Sequence, residues 1–330
     1  MKFLRDVNYS VILHKMKSSN DMPDLLESLC EVHSPSGEEW KMKDFLLYHI
    51  KRSSKGWVQK PRIVEGEDFQ DCIILLFGKP RVAAFAHMDT IGFTVRYQDQ
   101  LVPIGGPEVS GGEILQGFDA LGEIECTLGM DEDGHIRYQF GRGIASGTSL
   151  VYKTNYLDRK QHIQSPYLDN RVGIYNLLKV AETIQDGALV FSAWEEHGGG
   201  SVPFLVRYLY EKFRINKMLV SDVTWATEGV HLKGGVVISH RDRSIPRRLF
   251  IDQIIKIASD NQILYQEEVE AHGASDGREI QASPYPIDWC FIGPPIENVH
   301  TNKERIAKSD LEWMIKFYKL LFQKIQVPKI

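Results

Sequence analysis

The chain has 330 residues, of which 43% are hydrophobic and 25% charged, which is the composition of a globular protein with one large domain and a smaller one. Its net charge of -5 at pH 7 gives no positive surface of the kind that binds nucleic acid, so we expect no nucleic-acid partner. The four cysteines are scattered and form no C-x-x-C pair, so they indicate neither a zinc ribbon nor a dithiol redox site.

The N-terminal segment shows no targeting or membrane signal. Charged residues interrupt positions 1–6, and the apolar run at 11–13 is too short for the core of a signal peptide. No apolar run in the sequence approaches the length that a bilayer requires. We therefore expect a cytoplasmic protein without a membrane partner.

The first predicted elements are two helices and two buried strands. Helical periodicity covers residues 23–32 and 38–50. The apolar runs at 72–77 and 82–86 are typical of strands in a parallel sheet, which are buried on both faces and hydrophobic throughout.

The sequence changes character between residues 93 and 164. This stretch is rich in glycine and short alternating segments, with a turn at Asp133 and Gly134 that favours an antiparallel hairpin. We predict that residues 93–164 form an inserted, small β-barrel-like domain, which could act as a lid or in oligomerisation.

Helices and strands alternate again after residue 165. This order predicts a helix-covered, mostly parallel sheet, an α/β fold built from residues 1–92 and 165–330. The predicted helices cover residues 171–184, 202–213, 248–258 and 309–326, and the predicted strands cover 188–194, 218–220, 234–238 and 287–292.

His87 and Asp89 follow the predicted strand at 82–86 and are the first candidate site residues. Open α/β sheets bind their ligands at the carboxyl ends of the strands. A carboxylate beside a histidine can hold the second ring nitrogen, as metal-bound imidazoles usually require. Alone, the pair is equally consistent with an ordinary turn at the end of a strand.

Four further sites with metal-ligand side chains lie at the ends of apolar runs. Asp169 opens a predicted helix, Glu195 and Glu196 follow one strand, Asp222 follows another, and His300 lies beyond the last strand. Two histidines and several carboxylates without cysteine form a set that suits zinc, cobalt or manganese.

This set is large enough for two metal ions. A pair of ions about 3.5–4 Å apart needs a bridging carboxylate, for which Asp169 is suitable. His87 and Asp222 could complete one ion, and Glu196 and His300 the other. Glu195 would then be free beside the metals, which is what a general base requires.

Five segments resemble, in order and approximate spacing, the metal-site segments of the M42 aminopeptidases, within the dinuclear-zinc peptidases. They are residues 86–93, 168–173, 195–196, 222–224 and His300, and residues 103–106 resemble the second domain of that family. The resemblance covers most of the chain and implies a fold of the zinc-peptidase type, two divalent ions, a peptide substrate and a homo-oligomer.

The resemblance also implies a role for each candidate residue. His87, Asp222, Glu196 and His300 resemble terminal ligands, with His87 and Asp222 on the same ion. Asp169 resembles the bridging ligand, followed by a strained peptide bond. Glu195 resembles the catalytic base, and Asp89 the partner that orients His87.

Three segments depart from the family pattern. They are His197 with the glycines at 198–200, the stretch 225–231 after Asp222, and the stretch 294–299 before His300. These departures affect the substrate pocket and the oligomer contacts rather than the ligand set. His197 lies two residues from the predicted base and is a candidate for pocket lining.

A second loop, residues 273–278, resembles one that opens a helix facing the site in this family. Ser275 or Asp276 could equally be the N-terminal cap of that helix.

We predict from these observations a metal-dependent aminopeptidase that uses a water between two divalent ions. Zinc is the expected metal, with cobalt or manganese as alternatives. A carboxypeptidase or N-acyl deacylase could use similar ligands, and a catalytically silent relative could serve as a binding or assembly protein.

Overall fold

The computed structural model describes residues 25–325. The predicted start of the first helix at residue 23, the predicted end of the last helix at 326 and the N-terminal features at 1–13 lie outside these residues. No helix within the described residues is long and apolar enough to cross a membrane.

A central sheet of eight strands forms the middle layer of the protein. From one edge to the other its strands are β1 (Arg62–Val64), β2 (Ile73–Phe77), β12 (Gly187–Ser192), β3 (Ala83–His87), β13 (Lys217–Ser221), β17 (Asp288–Gly293), β15 (Val236–Arg241) and β16 (Tyr265–Val269). The four strands β12, β3, β13 and β17 run parallel side by side, and antiparallel pairs lie towards both edges. The predicted helix-covered, mostly parallel sheet is confirmed.

Helices cover both faces of this sheet. Their bounds are α1 (Leu25–Glu31), α2 (Trp40–Ser53), α3 (Leu168–Ala181), α4 (Val202–Phe213), α5 (Arg248–Asp260), α6 (Asp276–Ala282) and α7 (Lys308–Lys324). Helices α1, α2, α3, α5 and α7 pack in one hydrophobic core, while α4 and α6 pack in a second core on the other face.

Six strands form a separate sheet with its own hydrophobic core. In sheet order they are β5 (Leu101–Ile104), β4 (Gly92–Val95), β9 (Ser149–Tyr152), β6 (Ile114–Asp119), β7 (Gly122–Met130) and β8 (Ile136–Gln139). The two end strands approach each other, since the N–H of Tyr138 donates to the carbonyl of Asp99 at 3.0 Å. The sheet is therefore a nearly closed barrel, as predicted.

A third sheet, which the sequence did not predict, has five short strands. In sheet order they are β10 (Leu157–Asp158), β11 (His162–Gln164), β19 (Arg305–Ala307), β18 (Pro295–Glu297) and β14 (Thr224–Trp225). Its strand β14 follows Asp222, and its strands β18 and β19 lie on either side of His300, so it fixes the segments next to those two side chains. Its strands β10 and β11 come from the end of the 93–164 stretch and not from the barrel.

Candidate metal centre

His87 is the last residue of β3 and is almost completely buried. Its Nε2 lies 3.1 Å from Oδ1 of Asp169 and 3.6 Å from Oδ2 of Asp222. Its Nδ1 lies 3.1 Å from the carbonyl oxygen of Asp89 and 3.5 Å from the Asp89 carboxylate. With its proton on Nδ1, His87 keeps the lone pair of Nε2 directed at the two carboxylates.

The carboxylate of Asp89 has a further contact that the sequence did not predict. It accepts hydrogen bonds from the backbone N–H groups of Glu195 and Glu196, both at 3.0 Å, and from the hydroxyl of Ser36 at 2.6 Å. Asp89 therefore holds the loop that carries Glu195 and Glu196 against the end of β3.

This loop turns both glutamates towards the same site. Strand β12 ends at Ser192, and Trp194 adopts a left-handed conformation with φ of 61°. Oε2 of Glu195 lies 3.9 Å from His87, while Oε2 of Glu196 lies 3.3 Å from His300. The strand therefore ends two residues earlier than predicted, and the chain bends at Trp194, before the glycines at 198–200.

Asp169 lies between the two histidines. It is the second residue of α3 but has non-helical backbone angles, and its peptide bond to Asn170 is cis. Its Oδ1 faces Nε2 of His87 at 3.1 Å, and its Oδ2 faces Nε2 of His300 at 3.6 Å. One carboxylate thus presents a different oxygen to each imidazole.

His300 lies in the turn between β18 and β19, with φ of 61°. Its Nδ1 lies 3.0 Å from the carbonyl oxygen of Gly106, which follows the barrel strand β5. A proton on Nδ1 would donate to this carbonyl and leave Nε2 free to face Asp169 and Glu196. The barrel segment therefore orients a side chain of the candidate site.

The five predicted ligands form two groups that share Asp169. His87, Asp169 and Asp222 make one group, and Asp169, Glu196 and His300 make the other; within each group the potential ligand atoms lie within 4.8 Å of one another. Glu195 belongs to neither group. The structure thus brings together all seven predicted site residues, including Asp89.

The charges in this cluster are strongly unbalanced. Burial raises the pKa of Glu195 well above its ordinary value, and burial with the charge of Asp169 raises that of Glu196 to about 8. Burial opposes protonation of His87, but Asp222 and Asp169 outweigh it and raise its pKa well above the usual range. Acidic groups this close disfavour one another's ionisation unless positive charge is present.

The side chains present fit divalent metal ions. Imidazole nitrogens and carboxylate oxygens are the ligands of zinc and of related ions. The buried Oε1 of Glu196 has no hydrogen-bond partner in the part of the chain that the structure describes, although such atoms are normally satisfied. A cation bound between Glu196 and Asp169 would provide a partner for this oxygen and would reduce the repulsion between the two carboxylates.

Two buried acidic residues near the site were not found from the sequence. Glu304, which is 1% exposed, accepts the N–H of His300 at 2.9 Å and that of Asp169 at 3.0 Å. Glu39 accepts the N–H of Trp194 at 2.9 Å. Neither stands at the end of an apolar strand, and their partners are backbone groups, so the sequence carries no signal for these roles.

The loop at residues 273–278 contacts the site, as expected. Ser275 is the residue before α6, but its hydroxyl donates to Oδ2 of Asp222 at 2.6 Å and caps no helix N–H. Oδ2 of Asp276 accepts from the hydroxyl of Ser192 at 2.5 Å. His197 is exposed, and its Nδ1 accepts from the N–H of Gly105 at 3.2 Å, so it contacts the barrel segment rather than the ligand cluster.

The candidate centre opens into a cavity of about 350 Å³. Asp169, Glu195, Glu196, Asp222 and His300 line its inner end. Its remaining wall comes largely from β14, β16 and the loop before α6, and includes the side chains Trp225, Asp242, Glu268, Glu270 and Asp276. A substrate group can therefore reach the ligand cluster from solvent.

The chain is similar in sequence to known aminopeptidases. The model of the family described as M42 glutamyl aminopeptidase matches residues 139–317. Lysyl aminopeptidase of Pyrococcus furiosus is 24% identical over 296 residues, which is 75% of this chain and 82% of that protein.

Two solved structures share the fold over most of their length. A TET aminopeptidase of a marine-sediment Thaumarchaeota archaeon has a TM-score of 0.81 and 16% identity, covering 92% of this chain and 97% of that one. The TET1 peptidase of Pyrococcus horikoshii, which can assemble into a tetrahedron or a large octahedral shell, has a TM-score of 0.76 and 19% identity, covering 90% and 98%.

Proposed function

The chain belongs to the M42 peptidase family, and we propose that it is an aminopeptidase that uses two divalent metal ions to remove N-terminal residues from peptides. The observation that carries this proposal is the position of Asp169, whose two oxygens face different imidazoles within two adjoining ligand groups. One carboxylate shared in this way is what a two-metal site requires.

We assign His87, Asp169 and Asp222 to one ion, and Asp169, Glu196 and His300 to the other. Zinc is the metal that this mixed nitrogen and oxygen set favours, with cobalt or manganese as alternatives. Bound there, the ions would supply Lewis acidity, which polarises a peptide carbonyl and lowers the pKa of water.

Glu195 is the general base in this proposal. It lies beside both ligand groups but belongs to neither, so its carboxylate is available to a water molecule. It accepts a proton as the water oxygen bonds to the scissile carbon. It then gives this proton to the amine as the carbon–nitrogen bond breaks, so it returns to its starting charge.

Asp89 acts through the backbone as well as through His87. Its two oxygens hold the N–H groups of Glu195 and Glu196, so it fixes the base relative to the ligand beside it. We therefore assign Asp89 to the positioning of the base and of His87, without contact with the substrate.

We also propose that the chain divides into a catalytic domain and an inserted barrel that acts as a lid or in assembly. Support comes from the separate core of the barrel and from the contact of Gly106 with His300. We infer a cytoplasmic homo-oligomer. Removing residues 93–152 should leave a folded α/β core with altered assembly or substrate preference, measured by light scattering and peptide turnover; complete unfolding would contradict a separate domain.

The experiment that tests the activity combines metal analysis with paired substrates. Purified protein should contain two divalent ions per chain by emission spectroscopy. It should cleave aminoacyl amides with a free amino group and leave their N-acetyl counterparts intact. Chelation should abolish turnover, and zinc, cobalt or manganese should restore it.

The same experiment separates the alternatives. Cleavage of the acetyl group itself would indicate an N-acyl deacylase, and release of C-terminal residues a carboxypeptidase. Tight binding of two ions without hydrolysis of any of these substrates would indicate a catalytically silent relative. Each of these outcomes would refute the aminopeptidase assignment.

A further inference from the structure

One wall of the cavity is acidic beyond what the proposed chemistry uses. Apart from four of the assigned metal ligands and Glu195, the cavity is lined by five carboxylates and one cation, Arg278. Arg278 is exposed, and its guanidinium lies 3.4 Å from Glu279. No other lining residue of the cavity is an arginine or lysine; Arg241 and Arg243 lie next to Asp242 in the chain but do not line the cavity.

Three of these carboxylates lie close together at the end of β16. They are Asp242, Glu268 and Glu270, and we call them the acidic wall. Burial raises the pKa of Glu268, and the charges of Glu270 and Asp242 raise it further, so the three groups repel one another. No member of the acidic wall makes an ion pair with any residue between 25 and 325.

The acidic wall contacts the segment that follows the proposed ligand Asp222. The hydroxyl of Thr224 donates to Glu268, and Thr224 lies two residues after Asp222 in the chain. Trp225, the next residue, is 40% exposed and also lines the cavity. Trp225 and the acidic wall therefore line the same cavity as the ligand cluster.

A second observation points to a cation in this cavity. Asp276 also lines it and is only 1% exposed, yet its Oδ1 has no hydrogen-bond partner among the described residues. Buried carboxylate oxygens are normally satisfied, so an unpartnered one in a binding cavity indicates a missing positive or hydrogen-bonding group.

We propose that the acidic wall and Trp225 bind the positively charged side chain of the substrate's N-terminal residue, so that the enzyme prefers lysine and arginine. This inference rests on the proposed aminopeptidase function. The apolar stem of lysine or arginine packs along Trp225, and its charged end reaches the acidic wall. The cation is further stabilised by the indole face.

The substrate's own α-amino group does not account for the acidic wall. That group is one carbon from the scissile carbonyl, so it stays beside Glu195 and the ligand cluster. A group at the acidic wall lies beyond Thr224, and a long N-terminal side chain can extend to it. An acidic N-terminal residue would place a negative charge against the wall and should be a poor substrate.

The test compares side chains of similar length and different charge. Aminoacyl amides of lysine, arginine, norleucine and glutamate, all with free amino groups, are assayed with the metal-loaded enzyme. The value of kcat/KM for lysine should exceed that for norleucine by roughly tenfold to hundredfold, the usual effect of one hydrogen bond to a charged group. Glutamate should be the poorest of the four.

Variants of the acidic wall should change this ratio. Glu270→Gln and Glu268→Gln should each lower the ratio of lysine to norleucine kcat/KM by roughly tenfold, with the half-buried Glu270 as the safer substitution for folding. Glu267→Gln is the matched control, because Glu267 lies on the same strand but pairs with His240 outside this cavity. Its ratio should match that of the unmodified enzyme.

The outcomes distinguish this inference from the proposed function. Equal or better turnover of norleucine or glutamate than of lysine would overturn the preference but leave the aminopeptidase assignment intact. A ratio unchanged in folded Glu270→Gln and Glu268→Gln protein would also overturn it. Failure to cleave any of the four free-amine substrates would overturn the proposed function itself.

Discussion

Glu304 offers a quantitative test of how the candidate centre is held. Its two carboxylate oxygens accept the backbone N–H groups of His300 and Asp169, at 2.9 Å and 3.0 Å, in a buried position. Glu304→Ala leaves both donors unsatisfied. Each orphaned buried donor costs about 1–3 kcal/mol, so the free energy of unfolding should fall by about 2–6 kcal/mol.

Glu304→Gln is the milder form of the same change. Its single carbonyl oxygen can still accept one N–H, while its amide group faces the other, so we expect a loss of about 1–3 kcal/mol. Both donors belong to proposed metal ligands, one of them in both ligand groups. Zinc affinity should therefore fall by about tenfold to a hundredfold, the usual effect of removing a partner that orients a ligand.

Urea denaturation in the presence of a chelator measures the loss of unfolding free energy. Zinc titration of the folded protein measures the loss of zinc affinity. Glu297→Gln is the control, because Glu297 lies in strand β18, just before the turn that contains His300, but forms a partly exposed ion pair with Arg305. Such pairs contribute about 0–1 kcal/mol. If Glu304→Ala unfolds at the same urea concentration as the unmodified protein and binds zinc equally well, the positioning argument is wrong.

Three further predictions concern the bridge, the base and a buried histidine. Asp169→Ala should lose both ions, because a bridge serves two metals, and emission spectroscopy of the purified protein that still finds two tightly bound ions would contradict the assignment. Glu195→Gln should lower kcat by roughly two to four powers of ten with unchanged metal content. If Glu195→Gln keeps near-full turnover while Glu196→Gln is inactive and keeps both ions, the two roles are reversed. Burial lowers the pKa of His49 to about 4, so between pH 6.5 and 4 the unfolded chain binds a proton that the folded chain does not. The free energy of unfolding should therefore fall by up to about 1.4 kcal/mol per pH unit as the pH decreases through this range, and urea denaturation should find a smaller decrease in His49→Gln.

The position of the ligand set could be predicted because it depends on strand ends. Strands β3, β12, β13 and β17 are continuous apolar runs, and each is completely buried apart from Lys217. Parallel pairing aligns His87 with Ser192 and Ser221 with Ile292. The polar residues that follow these strands must then meet at one edge of the sheet.

The acidic wall could not be predicted, because the sequence of strand β16 lacks the apolar pattern that is typical of a strand. Strand β16 has the sequence Tyr-Gln-Glu-Glu-Val, which lacks an apolar run, and it lies at the edge of the sheet with mixed burial. Its pairing with β15 determines its conformation, and this pairing is not visible in local periodicity. The five-stranded sheet was missed for a related reason, since its two- and three-residue strands are too short to produce a pattern.

Two buried carboxylates outside the proposed ligand set hold the candidate site residues through backbone N–H groups, and the sequence gives no signal for this role. The carboxylate of Asp89 holds the N–H groups of Glu195 and Glu196, and the carboxylate of Glu304 holds those of Asp169 and His300. A carboxylate that accepts N–H bonds positions distant segments whatever their side chains are, so no local motif reveals it.

This arrangement also determines how the acidic cluster should respond to metal. The backbone contacts fix several buried carboxylates close together. Burial and the charge of Asp169 raise the pKa of Glu196, and its Oε1 has no partner among the described residues. Without a cation, the carboxylates of this preorganised cluster repel one another. A bound cation is attracted to all of them and offsets this repulsion. Metal binding should consequently stabilise the fold by an amount that grows with free metal concentration, since an ion that binds the folded chain alone shifts the unfolding equilibrium by mass action.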